Sequence, residues 1–376
     1  WRWHSPVILP PHSRLTLYHS GNHVCRGERY SHLDNRGSRS EQGPLQNERG
    51  MRMTCISPAL GATDKGTATA LAESPLKQGL LYVGTDDGAL WRTDNGGQEW
   101  QRIDKNLPID ELLYVSDIVP SSYKEGRVYI TLDGHRSDDF KTRVFISDNH
   151  GDVFYDIGET LPGNEVCHSF AEDPRNEDLL FLGTERGVWA TLDRGYNWMR
   201  LNNGLPTASV RELVIQDRDS DLVAATHGRG ILVLDIEGLR QLNDDIAKKD
   251  AHLCDVQPAY LWQLGSRGFQ GHKHFRASNP SYGSTFYLWL REAPDDKPEL
   301  TIHDITGKEI ATVTGQAIGG LQPIQWSARM GRTLAKPGTY SVRLKGEADL
   351  RRPFVLRPDP NLHANSGAPT QPANNR

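Results

Sequence analysis

The chain has 376 residues, including 36 Gly and 22 Pro, with 36% hydrophobic residues and a net charge of −5. The small net charge removes the electrostatic case for a nucleic-acid partner, and without a run of 18 or more apolar residues there is no membrane-spanning helix to expect. Length and Gly/Pro content suit a turn-rich, all-β protein with room for two domains.

From the start of the chain to about residue 238, one strand grammar repeats. "SPVILPPHSRLTLYHSGNHVCRG", "ATALAESPLKQGLLYVGTDDGALWRT", "VSDIVPSSYKEGRVYITLDG", "CHSFAEDPRNEDLLFLGTERGVWAT" and "VRELVIQDRDSDLVAATHGRGILVLDI" share it. Each runs a short apolar strand, a polar turn, a second strand, a tight charged turn and a third strand. Tyr18, Tyr82, Tyr129, Phe181 and Val223 mark the second strand. The markers recur at roughly 40–50 residues, the interval of propeller blades, after a longer first step. That first step contains a Gly/Arg/Glu/Asn-rich stretch, read as a loop insertion over about 37–54.

A second motif lies downstream of three units: Thr93 to Trp100, Ser147 to Phe154 and Thr191 to Trp198, with a degenerate copy at Leu33 to Gly37. The shared pattern is Ser/Thr-x-Asp/Asn-x-Gly-x-x-aromatic. Asn95, Asn149 and Asp193 can accept hydrogen bonds from the backbone just after them. Gly97, Gly151 and Gly195 supply positive φ. Trp100, Phe154 and Trp198 anchor the next strand in a core. This pattern resembles the Asp-box, or BNR repeat, of sialidases, sortilin-type receptors and xyloglucanase-like glycosidases. Asn at two of the three acid positions argues against a charge-dependent role. The motif is therefore expected to be a packing hairpin, on the face opposite the charged turns.

About five blades are visible, the last without a clear fourth strand, and the chain begins at Trp1. The expectation is an incomplete propeller, the C-terminal part of a longer exported protein that carries the remaining blades. A secreted, periplasmic or cell-surface location follows from that reading, although no signal peptide is visible. Cys25, Cys55, Cys167 and Cys254 lack metal-ligand spacing; two disulfides and isolated buried thiols both remain open.

Past residue 238 the grammar changes. Leu239, Leu242, Ile246 and Ala247 fall at helical spacing, which predicts a helical linker over 239–257. From 258 to 360, "STFYLWLREA", "PELTIHDITGKEIATV", "QPIQWSAR" and "GTYSVRLKG" predict an immunoglobulin-like β-sandwich, followed by a disordered tail over 361–376. The combination resembles the C-terminal half of large bacterial "glycosyl hydrolase, BNR repeat" proteins, which carry sortilin-like or xyloglucanase-like propellers and an Ig-like end domain.

The charged turns between second and third strands hold the candidate chemistry. Asp86, Asp87, Asp133 and Glu185 are candidate acid/base carboxylates, and His135, His227 and Arg229 candidate binding groups; equivalent turns would line one rim. Sugar hydroxyls suit such a rim, and a carboxylate pair about 5–5.5 or 6.5–9.5 Å apart would suit glycoside hydrolysis. Tight turns favour the same residues for local reasons. No phosphate loop, His-Glu-x-x-His pair or nucleophile elbow is present, and "HKH" at 272–274 lacks partners, so no metal or cofactor is expected. Three functions remain: a scaffold binding a polysaccharide or peptide, a xyloglucanase-like glycoside hydrolase, and a sorting or assembly module. The first is preferred because no catalytic constellation emerges.

Overall fold

The computed structural model describes residues 5–31, 49–202, 204–262, 282–347 and 349–360. The protein is all-β, with two compact units that meet in sequence at Arg240 and Gln241. The first is a β-propeller array of five successive antiparallel sheets. Sheet 1 contains β1 (Val7–Ile8), β2 (Thr16–Ser20), β3 (Val24–Ser31) and β4 (Arg49–Cys55). Sheet 2 contains β5 (Ala68–Glu73), β6 (Leu81–Thr85), β7 (Leu90–Thr93) and β8 (Gln101–Arg102). Sheet 3 contains β9 (Tyr114–Pro120), β10 (Val128–Asp133), β11 (Val144–Ser147) and β12 (Tyr155–Asp156). Sheet 4 contains β13 (Cys167–Glu172), β14 (Leu180–Thr184), β15 (Gly187–Thr191) and β16 (Met199–Leu201). Sheet 5 has three strands among the described residues: β17 (Val210–Gln216), β18 (Asp221–Thr226) and β19 (Ile231–Asp235). The first strands β1, β5, β9, β13 and β17 pack in sequence, each against the next, as blades do around an axis.

The five marker residues all lie on second strands. Tyr82, Tyr129 and Phe181 are fully buried between neighbouring sheets. The stretch expected to be a loop over 37–54 is corrected at its end: residues 49–54 belong to β4, which pairs along the whole of β3. A polar, Met-containing strand was hidden by its composition. Residues 32–48, and with them the whole degenerate motif copy, lie outside the described residues. Cys25 and Cys55 face each other across β3 and β4 and form a disulfide, while Cys167 and Cys254 are buried and outside any disulfide.

The three repeated turns close each third strand onto its fourth with one hydrogen-bond plan. Gly97 N, Gly151 N and Gly195 N donate to the hydroxyls of Thr93, Ser147 and Thr191 at 3.0, 2.9 and 3.0 Å. Glu99 N, Val153 N and Asn197 N donate to the side-chain oxygens of Asn95, Asn149 and Asp193 at 3.0, 3.0 and 2.8 Å. An amide oxygen does the same work as a carboxylate, so charge is dispensable. The glycines have φ of +93°, +87° and +97°, and a Cβ on them would meet Ile56, Ile103 and Ile157 of the preceding sheet's end. Trp100 and Trp198 donate their indole N–H to the carbonyls of Ile56 and Ile157, both at 2.7 Å. The motif therefore staples each blade to the one before it.

In the second unit the expected helical linker is corrected. Two single turns, α1 (Glu237–Arg240, ending the first unit) and α2 (Asp244–Ala247), replace one helix, because Asn243 is extended and caps α2 by accepting from Ile246 N. Within the same stretch, β20 (Ala251–Leu253) already belongs to a sheet. The other strands are β21 (Ala259–Leu261), β22 (Ser284–Leu290), β23 (Glu299–His303), β24 (Glu309–Thr314), β25 (Gly320–Trp326), a short hairpin of β26 (Arg329–Met330) and β27 (Thr333–Leu334), β28 (Gly338–Leu344) and β29 (Arg351–Pro358). They form a sheet β20–β22–β25 and a sheet β21–β29–β28–β23–β24. β22 alternates buried and half-buried residues, the period-2 pattern of a strand with one face in a core. Phe286 and Trp326 from the first sheet meet Tyr340 and Phe354 from the second in edge contacts, so the two sheets share one core. Residues 272–274 and the tail 361–376 lie outside the described residues.

Candidate functional site: a charged rim across blades two to five

Each inner strand from β5 to β17 carries a β-bulge near its start. The extra residues are Thr69, Ser116, His168 and Arg211, shown by register shifts at equivalent points. A bulge re-aims side chains and strengthens local twist. Here it turns a polar side chain toward the next blade. Thr69 Oγ1 donates to Val115 O at 2.7 Å, and Ser116 Oγ to Cys167 O at 2.9 Å. His168 meets Arg211, its counterpart on β17, with Nδ1 and a guanidinium nitrogen 3.2 Å apart.

These bulges stand beside the turns between second and third strands, and together they make a rim. Of the four candidate carboxylates, two are occupied by their own blade. Asp87 accepts from Ala62 N, Thr63 N, Thr63 Oγ1 and Thr85 Oγ1 at 2.7–3.0 Å. Burial opposes its charge, but these donors outweigh it and hold its carboxyl below the ordinary range. Asp86 accepts from Thr67 N at 2.7 Å and Thr67 Oγ1 at 3.3 Å. Both fasten the segment leading into β5.

Asp133 and Glu185 instead share one network around His168. Asp133 is buried, accepts from His135 N at 3.0 Å, and also bonds the His135 ring. Its other oxygen lies 3.6 Å from His168 Nδ1. Glu185 Oε2 receives His168 Nε2 at 2.7 Å, Ser209 Oγ at 3.1 Å and Arg211 at 3.2 Å. Burial would raise the Glu185 pKa, but these partners overcome it and leave the group below the ordinary range. Glu185 is thus a fixed anion. All three donors converge on Oε2, and among the described residues Oε1 makes no hydrogen bond, so it is available as an acceptor.

The tautomer of His168 follows from its partners. Arginine only donates, so Nδ1 accepts from Arg211 and the ring proton sits on Nε2, facing Glu185. Burial, then the Arg211 charge, depresses the His168 pKa against the pull of Glu185 and Asp133. A group with a depressed folded pKa contributes stability that is complete above its unfolded value, about 6.5, and is lost as pH falls toward the folded value. In an NMR titration His168 should protonate below the midpoint of ordinary histidine, and Arg211→Ala should raise that midpoint. A midpoint at or above the ordinary value would contradict the assignment.

Other groups complete the rim. Arg136 lies over the Tyr114 ring, 4.9 Å from its centroid. Burial raises the Tyr114 pKa, and the charges acting on it belong to Arg136, Asp133, Asp86 and Arg211, which shows residues from blades two, three and five converging. His135 and Arg136 are exposed, as is Phe140 in the same loop. His227 and Arg229 are exposed in the turn of sheet 5; His227 N donates to Ser209 O at 2.8 Å, tying that turn to the same locus. Asp117, beside a bulge on β9, is pushed up to about 7 by burial, but both its oxygens accept backbone N–H groups, from Ile118 and Phe170, at 2.8 Å. It belongs to the blade interface. His168, Ser209, Arg211 and Tyr114 were absent from the sequence reading.

Among the described residues no group of three or more His, Cys, Asp or Glu side chains is arranged to hold a metal ion. Two open grooves of about 700 and 780 Å³ lie in the second unit, beside Trp326 and Arg329 and beside Pro294 and Lys345, and neither includes a rim residue.

No family model matches the chain. Over 136 residues, 33% of its length, it is 25% identical to Xyloglucanase Xgh74A of Acetivibrio thermocellus, covering 16% of that protein. Over 154 residues, 39% of its length, it is 24% identical to a probable oligoxyloglucan-reducing end-specific xyloglucanase of Neosartorya fischeri, covering 19% of it. The chain therefore spans less than a fifth of the length of these curated relatives. Among solved structures, an ancestral GH74 enzyme superimposes with a TM-score of 0.42 at 14% identity, over 83% of this chain and 38% of that one. The chain is similar to glycosyl-hydrolase-like propeller proteins of the xyloglucanase type.

Proposed function

We propose that the chain is a polysaccharide-binding propeller module, with the rim of blades two to five as its ligand surface and β-linked glucan chains of the xyloglucan type as the preferred ligand class. The observation that carries this is the Asp133–His168–Glu185–Arg211 network. It holds a carboxylate ionised, with one oxygen fixed and one open; exposed His135 joins the network through Asp133, and exposed Arg136 and Phe140 lie in the same loop after β10. A fixed acceptor, flanking donors and an aromatic face suit sugar hydroxyls and the apolar face of a pyranose ring. Hydrolysis by the same carboxylates fits less well. A general acid must be protonated near neutral pH, which calls for a raised pKa, whereas Glu185 is depressed and Asp87 is saturated.

The hydrolase reading keeps one support, the xyloglucanase names of the two curated relatives. The three repeated turns are read as Asp-boxes with a stapling role, and the two-sheet second unit as an Ig-like end domain. The Cys25–Cys55 disulfide supports an exported location, since such bonds persist in oxidising compartments. Equilibrium binding to xyloglucan, cellulose oligomers and an unrelated polysaccharide tests the proposal. Phe140→Ala should weaken xyloglucan binding while leaving the thermal midpoint nearly unchanged, and Glu185→Gln should weaken binding and also lower the midpoint, because Glu185 accepts three hydrogen bonds from sheet 4 and the edge of sheet 5. Binding untouched by both changes would remove the rim from the account.

A further inference from the structure

The geometry points to the outward face of sheet 5 as a docking surface for a further blade of the same kind. The face is formed by Glu212 and Val214 on β17, Val223 on β18, and Ile231 and Val233 on β19, in cross-strand register Val214–Val223–Val233. Val214, Ile231 and Val233 are 52%, 70% and 61% exposed. The opposite face of the same sheet, with Leu213, Leu222 and Ala224, is buried against sheet 4.

Repeat equivalence identifies the occupant. Counting from each bulge, Val214, Val223 and Val233 correspond to Ala171, Phe181 and Ala190 of sheet 4. Those three form the same cross-strand ladder and are buried against sheet 5, with Phe181 and Ala190 at 0% exposure. In sheet 3 the corresponding Tyr129 is likewise fully covered, by sheet 4. One of the covered interfaces also has a polar contact that sheet 5 can reproduce. Asp117, next to the bulge Ser116, accepts the backbone N–H of Phe170 on the next inner strand. Glu212 stands next to the bulge Arg211 at that same position, on the uncovered face. Sheet 5 thus continues the interface by which blades two, three and four each receive their successor. Its apolar ladder matches the apolar near side of a blade, and Glu212 is placed to accept a backbone N–H from that blade's inner strand. An exposed β-branched ladder of this kind marks an interaction surface. The inference stands apart from the identity of any ligand on the rim.

The test compares this 376-residue chain with the protein as its source organism makes it. Val233→Cys is treated with a maleimide under native conditions, and the labelled site is read by peptide mass. Val233→Glu is followed by thermal unfolding. In the 376-residue chain the cysteine should react and Val233→Glu should leave the midpoint unchanged. In the natural protein labelling should be lost and Val233→Glu should lower the midpoint. Equal labelling in both forms would overturn the inference. So would a 376-residue chain that dimerises and becomes monomeric with Val233→Glu, since the occupant would then be a second copy.

Discussion

Trp198→Ala should lower the stability of the first unit by about 3–5 kcal/mol, the range for removing a large buried aromatic. Trp198 is 9% exposed and packs in the core shared by sheets 3 and 4. Its indole N–H also satisfies the carbonyl of Ile157 at 2.7 Å. The substitution leaves a cavity and an unpaired carbonyl at one seam. Asp193→Asn should cost much less, because Asn95 and Asn149 make the equivalent bonds in the two sister turns. Urea unfolding followed by tryptophan fluorescence and far-UV circular dichroism reads both. A larger loss from Asp193→Asn than from Trp198→Ala would mean that the turn depends on charge rather than packing.

Arg240→Leu should cost a similar amount, about 3–5 kcal/mol, the usual consequence of stranding one member of a buried ion pair. Arg240 and Asp173 have side chains 4% and 0% exposed and meet at 2.6 Å. Arg240 also donates to Ser220 Oγ at 2.8 Å, and Ser220 in turn donates to Glu237 at 2.7 Å. The pair links the loop after β13, the loop after β17 and α1, and so holds the last two sheets together. The cost arises from leaving the Asp173 side chain buried without its partner. Asp173→Asn combined with Arg240→Leu should therefore recover part of the loss. No recovery in the double variant would show that Arg240 acts through packing alone.

The blade pattern was legible because its cause is local. A short apolar strand buried along its length, an aromatic marker and a turn that needs glycine all write themselves into short sequence windows. The repeated turns were legible for the same reason, down to the interchange of Asn and Asp. The rim was only half legible. Asp133, His135 and Glu185 were found because charged residues gather at the turns between second and third strands. His168 and Arg211 were missed because they sit inside strands, where a polar residue reads as noise. A signal was present: Ser116-Asp117, His168-Ser169 and Arg211-Glu212 are consecutive polar pairs in otherwise apolar strands. Two neighbours that cannot both alternate outward indicate a bulge. Asp86 and Asp87 look identical in sequence to a catalytic pair, and only their donors from Ala62, Thr63 and Thr67 reveal a structural role. The strand at 49–55 and the split helix near Asn243 depended on pairing and capping that composition obscured.

The central claim is that the rim binds a glucan chain without cleaving it. The most direct measurement incubates the chain with xyloglucan and follows, in one experiment, polysaccharide binding and the appearance of new reducing ends, for the natural sequence and for Glu185→Gln. The account predicts saturable binding that weakens with Glu185→Gln, and no new reducing ends in either. New reducing ends that vanish with Glu185→Gln would contradict it and make Glu185 a catalytic residue.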